Sequence, residues 1–397
     1  MPELLAFSEK IEATAEARYL LQALICNRQK ILATHFKVKS VSKLLYLTER
    51  LVRGASQELA EAGLLLVLSR SGKVGRPGLE YKASQHLRDL LAEPGQSANP
   101  YQELALRLFS EPDIYVECSQ SEAGKREGKA VRKQIRKDGR PAAPGASGRL
   151  GVSTRVLLAA LLTSADQFGV VTGMGEAQLR AMTGLNQVAL KHQLRRLVSL
   201  GFIRVHVPGL SNGIFVGAKV SSIYYLNLSH PQLGDKRPRH IAWVLFNDEL
   251  NGYERLTKGL SPEVEKALLA LGPAVLNVLY HKLAGYASQL ILDTWVKSDE
   301  RQDDAFAPLV ENIARELGQL KVGNPEWSQS NDYWAGMSKH FSQLALEWSQ
   351  DLIRVLDTRV SLPRALIRPV PAQDRYGDER DFFLLLAIVP ESQGVLP

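Results

Sequence analysis

Apolar positions between Gly173 and Leu228 recur first at helical and then at strand spacing. Leu190, Leu194 and Leu197 follow at intervals of four and three, which places them on one stripe of a helix. That helix is predicted to start after Asn186, a good N-cap residue, and to run to Leu200, where Gly201 stops it. A shorter helix from about Glu176 to Met182 precedes it, across the break Thr183-Gly184-Leu185. Phe202 to Val207 then reads as a strand that returns through Ser222 to Leu226. With the leucines turned inward, Gln187, Lys191, His192 and Arg195 are left on the outer face.

The same succession is visible earlier in the chain. Ile11, Ala15, Tyr19 or Leu20, Leu24 and Ile31 keep near-helical spacing and predict one or two helices over residues 8–35. After a compact segment from Ser40 to Leu45, Thr48 opens a helix with Leu51 or Val52, Ala55 and Leu59 inside, ended by Gly63. Arg50, Arg53 and Gln57, at i, i+3 and i+7, line its other face. Leu64 to Leu68 reads as a buried strand, followed by the loop SRSGKVGRPGLEYKAS and a returning strand around Leu79 to Lys82. Arg70, Lys73 and Arg76 stand at or near the tip of that loop, where the glycines allow a tight turn.

Two helices joined by a tight turn and followed by a hairpin, as in TGLNQVALKHQLRRLVSLGFIRV and again around GRPGLEY, resemble the winged helix-turn-helix superfamily of DNA-binding domains. The resemblance covers roughly fifty residues in the second copy and rests on type of structure, not on identity between the copies. It implies that the second helix of each pair enters a major groove while the hairpin tip lies on phosphates or in the minor groove. Gln187, Val188, Lys191, His192 and Arg195 would then face bases and phosphates, with base readout by Arg50, Arg53, Gln57, Gln187, Lys191 and Arg195 and with Arg70, Lys73, Arg76 and the linker on the backbone. The alternative for either outer face is a plain solvated helix surface, because winged helices also serve as protein-docking modules.

Around these stretches the expected organisation is a first winged-helix domain over 1–118, a basic flexible linker over 119–150, a second winged-helix domain over 151–230 and a helical C-terminal domain over 231–397. The fold class is mainly α with small β-wings, α+β. Helices are expected near 84–91, near 101–109 and over 153–168, the last with Val156, Leu157, Ala160, Leu161 and Ala165 inward. The linker holds nine Lys or Arg against three acids and almost nothing apolar. Lys129, Arg132, Lys133 and Arg136 in its middle are candidate DNA contacts; a solvated tether is the alternative. Beyond Ser261-Pro262-Glu263 three amphipathic helices are expected, through Leu276 to Leu290, Phe306 to Leu317, and Trp334 to Val355. They would pack as a bundle or pair with a second copy of the chain, and a buried strand, RDFFLLLAIVP, would cap the bundle or the neighbouring wing.

Charge sharpens this division. Residues 1–228 hold 31 Lys and Arg against 19 Asp and Glu, a net of +12, while the remainder holds 18 against 23, a net of −5. The positive part attracts a polyanion and gains from counterion release; the acidic part is repelled by it. No apolar run approaches the roughly 20 residues a bilayer needs, and the first residues lack the pattern of a secretory signal. Cys26 and Cys118 have no CxxC partner and read as ordinary buried thiols of a reduced compartment, so a cytoplasmic, nucleoid-associated location is expected. The eight histidines form no metal-ligand spacing, and no nucleotide loop or nucleophile elbow occurs. The expectation is a non-enzyme without cofactor or metal: a sequence-specific double-stranded DNA-binding transcriptional regulator, self-associating through its C-terminal helices. The alternatives are a plasmid or mobile-element replication initiator that binds origin repeats, and a winged-helix interaction or chromosome-organising protein.

Overall fold

The computed structural model describes residues 13–27, 35–70, 78–92, 101–111, 150–210, 221–228, 230, 232–233, 240–244, 256–296, 311, 331–359, 366–371 and 383–388. It is mostly helical with small antiparallel sheets and divides into two compact units, Met1–Ile203 with Leu226–Asp235 and Arg204–Tyr225 with Lys236–Pro397.

Helix α1 (Ala15–Cys26) begins at Thr14, whose hydroxyl accepts from the Ala17 amide at 3.3 Å. It is apolar nearly all round, with Ala17, Tyr19, Leu20, Leu21, Ala23 and Leu24 buried, and so sits inside its unit. A short strand, β1 (Phe36–Lys37), leads into α2 (Val38–Leu44) and α3 (Glu49–Glu61), the latter capped by Thr48, which accepts from Leu51 N at 3.2 Å. Strands β2 (Leu65–Arg70) and β3 (Gly78–Ala83) form an antiparallel hairpin in register from Leu65↔Ala83 to Arg70↔Gly78. β1 adds to the far side of β3, where Phe36 and Tyr81 stack with ring centroids 5.6 Å apart. Helices α4 (Gln85–Ala92) and α5 (Gln102–Ser110) follow.

The second set repeats this order: α6 (Val152–Thr163), β4 (Val170–Val171), α7 (Glu176–Thr183), α8 (Gln187–Ser199), β5 (Ile203–Val207) and β6 (Ile223–Leu226). Sheet orders correspond as well, β1-β3-β2 and β4-β6-β5, with the short strand beside the last one in each. Neither short strand is legible in the sequence, because two residues cannot display a period-two alternation. The turn ahead of the exposed helix also corresponds. Gly184 takes φ +68° two residues before the cap Asn186, and Tyr46 takes φ +52° two residues before the cap Thr48.

α1 packs on α3, α5 and α6, while α6 packs on α5, α7 and α8. The two leading helices thus meet in the middle, which is how the unbroken apolar run Val156 to Leu162 comes to be fully buried on every side of α6. The helices assigned in the sequence to domains 1–118 and 151–230 belong here to one compact unit. Of the segment read as linker, 119–150, only Leu150 lies among the described residues.

In the other unit, α9 (Pro262–Ala270) starts after Ser261, with proline in the first turn where its missing N–H has no cost. α10 (Pro273–Val296) packs on α11 (Asn331–Arg359), and Tyr280 meets Trp348 at a centroid distance of 5.1 Å. The region read as helical also carries a sheet, in the order β7 (His240–Val244), β9 (Phe383–Ile388), β8 (Leu366–Pro371), with β8 packed on α10. The apolar ending is therefore the central strand of that sheet. In its neighbour β8, Pro369 and Pro371 mask the strand in the sequence, and the order places it at an edge, where proline is tolerated. The helix expected from Phe306 to Leu317 falls outside the described residues except for Glu311.

Candidate nucleic-acid interface

Helix α8 is fixed at both ends and open along one face. At its start the Asn186 side chain accepts from Ala189 N at 2.8 Å, satisfying one of the unpaired amides of the first turn. Leu190 and Leu197 are fully buried and Leu194 nearly so, and Gln193 accepts from the Thr154 hydroxyl of α6 at 2.6 Å. At its end His230 stacks on Phe202 with a centroid distance of 3.9 Å and sets Nε2 3.0 Å from the Leu200 carbonyl oxygen. Burial pushes the pKa of His230 down, which favours the neutral ring at this junction. Asn227 donates from Nδ2 to Gly201 O at 2.9 Å, so the chain leaving the helix is held as well.

The remaining face carries Gln187, Lys191, His192 and Arg195, all exposed. Val188 stands among them, 78% exposed. Residues 188, 191, 192 and 195 have the i, i+3, i+4, i+7 spacing of one helix face. The resemblance places Val188 on this face with the four polar residues, and it is an apolar group open amid cations.

Helix α3 presents the corresponding surface in the first set. Val52, Ala55, Ser56 and Leu59 face inward, whereas Arg50, Arg53 and Gln57 are exposed. Gln57 donates to Glu61 Oε1 at 3.0 Å, a contact along its own helix. Gly54 lies between the two arginines and Gln57, with nothing within 4 Å of where a Cβ would stand. Arg53 comes close enough to Tyr81 to pull its hydroxyl's pKa down, against the stronger upward push of burial. Among the described residues no carboxylate lies within ion-pair distance of Arg50, Arg53, Lys191 or Arg195. Each guanidinium and ammonium therefore keeps its donors available.

Arg70 ends β2 opposite Gly78, which puts its backbone at the hairpin's outer end. Lys73 and Arg76 lie outside the described residues, as do Lys129, Arg132, Lys133 and Arg136. The structure thus brings together two sets on two helix faces, Arg50 with Arg53 and Gln57, and Gln187 with Lys191, His192 and Arg195.

Chemically these faces offer charged and amide hydrogen-bond donors and no reacting group. Among the described residues no three His, Cys, Asp or Glu side chains gather as a metal site would require. Cys26 is free, and burial pushes its thiol up to about 11, far from a reactive thiolate. No single helix among the described residues is long and apolar enough to cross a membrane. No protein-family model, curated protein or solved structure matches the chain.

Proposed function

We propose that this chain is a sequence-specific double-stranded DNA-binding regulator of transcription, built on two winged helix-turn-helix heads. The observation that carries the reading is α8: a helix after a left-handed turn, with its leucine stripe buried and Gln187, Lys191, His192 and Arg195 exposed. A helix of this width fits the major groove, and these side chains donate to guanine, to adenine and to phosphate. The repeated order of helix, short strand, two helices and hairpin supports the same reading for α3. The excess of positive charge over residues 1–228 supplies long-range attraction and counterion release. On this reading the chain acts by binding alone, without cofactor or metal, and the C-terminal helices serve self-association.

The test is capture of genomic fragments on the full chain, followed by sequencing and footprinting. Enrichment of a shared sequence motif near promoters is the expected result. Enrichment confined to an array of repeats at a replication origin would move the assignment to an initiator. Recovery of fragments in proportion to their abundance would remove sequence specificity.

A further inference from the structure

Two arginines at equivalent places tie the two sets of elements together. Arg18 is the fourth residue of α1 and Arg155 the fourth of α6. They are 5% and 1% exposed. Each donates its Nε–H to the carbonyl oxygen five residues back, Arg18 to Ala13 at 2.8 Å and Arg155 to Leu150 at 3.1 Å. The same guanidinium then crosses to the other set. Nη1 of Arg18 donates to Met182 O, in the last turn of α7, at 3.2 Å. Nη1 of Arg155 donates to Leu108 O, in the last turn of α5, at 3.2 Å and to Glu111 O at that helix's end. Carbonyls in a final turn lack partners within their own helix and carry the negative end of its dipole, so a buried cation is well placed there.

A third contact lies at the same junction. A side chain at Gly184 would run into the carbonyl oxygen of Ala13 and stand 2.9 Å from the carbonyl carbon of Thr14. Thr14 in turn donates from its amide and, at 2.6 Å, from its hydroxyl to the carboxylate of Glu58. The start of α1 is therefore held on one side by α3 and on the other by the turn that leads into α8. Separating the sets would break the Nη1 bonds of both buried guanidiniums to the other set's helix-end carbonyls, which opposes any swing of one against the other.

We infer that the helices of the two heads, which share one compact unit, form one rigid reader, and that this chain recognises a single composite duplex site whose two parts stand at one fixed spacing. The inference rests on the DNA-binding reading above and adds the form of its target: neither a lone half-site nor two half-sites at free distance.

The experiment is selection of duplexes from a randomised pool by the full chain, then affinity measurement on the selected site with 1, 2, 5 and 10 base pairs inserted between its parts. Insertion of 5 base pairs turns the parts to opposite sides of the duplex and should cost about a hundredfold in affinity, the gain that linkage of two sites confers. A second arm uses Arg18→Lys, which keeps charge and reach but lacks the fork that serves Ala13 and Met182 together. It should reduce the affinity ratio between the selected and the 5-base-pair spacing, a ratio that a uniform loss of folded protein leaves unchanged. Equal affinity at every spacing overturns the rigid reader while leaving DNA binding intact. Failure to retain any duplex in dilute salt overturns the DNA-binding reading itself, and the composite site with it.

Discussion

Tyr46 and Gly184 hold the same left-handed turn, at φ 52° and 68°, each two residues ahead of the cap of an exposed helix. Their surroundings differ. The tyrosine already carries its Cβ in that conformation, whereas a Cβ on Gly184 meets the backbone of Ala13 and Thr14. Gly184→Ala should therefore destabilise by about 2–4 kcal/mol, from the left-handed strain together with the clash. Tyr46→Ala, with no new clash, should cost less. Urea unfolding of both variants checks this; equal midpoints would mean that the Ala13 contact is not made.

Gly54 is the opposite case. It sits in the interior of α3 with open space where a methyl would go, so Gly54→Ala should raise stability by about 0.5–1 kcal/mol. A melting curve shows it as a higher midpoint. On the proposed reading the added methyl also stands on the face shared with Arg50, Arg53 and Gln57, and a duplex titration should show weaker binding. A variant that is more stable and binds unchanged would remove that face from the contacts.

Arg195→Ala should lose about 1–3 kcal/mol on the selected duplex and relax the preference at one base pair, as expected for a side chain that donates to base edges. Binding measured against all four base pairs at each position of the site decides the matter. A loss of equal size on selected and random duplexes would assign Arg195 to phosphates instead.

His281 is buried beside Tyr225, with Nδ1 2.9 Å from the tyrosine hydroxyl, and burial lowers its pKa to about 4. Because its folded pKa lies below the unfolded 6.5, the unfolded chain binds the extra proton first as pH falls. The stability this group contributes is complete above 6.5 and is lost as pH falls from there through about 4, a change of about 3 kcal/mol. His281→Gln should remove that part of the acid dependence. Unfolding curves from pH 7 to 4 test it: the same slope in both proteins would locate the acid sensitivity elsewhere, for instance in His206, His230 or His340, whose pKa values burial also lowers.

Long periodic elements were legible in the sequence because one physical demand, burial of one stripe, repeats along them. Asn186 as a cap, the stripe Leu190, Leu194 and Leu197, and the stop at Gly201 all follow from local chemistry. The first turn was obscure because Tyr46, not glycine, takes the left-handed conformation there. Strands β1 and β4 are two residues each and exist only through their partners. Arg18 and Arg155 gave no signal at all, since a helical arginine reads as surface until the carbonyls of another helix close around it. For the exposed faces, residue type and spacing were visible in advance; the contact that locks α1 against the turn before α8 was not.

Titration of a labelled duplex with the full chain across a range of salt, beside the double variant Lys191→Ala with Arg195→Ala, tests duplex binding by the α8 face most directly. The expected result is an affinity that falls linearly with the logarithm of salt concentration, with a slope shallower by about one to two in the double variant. An affinity indifferent to salt, or an affinity and slope both identical in the two proteins, would contradict it.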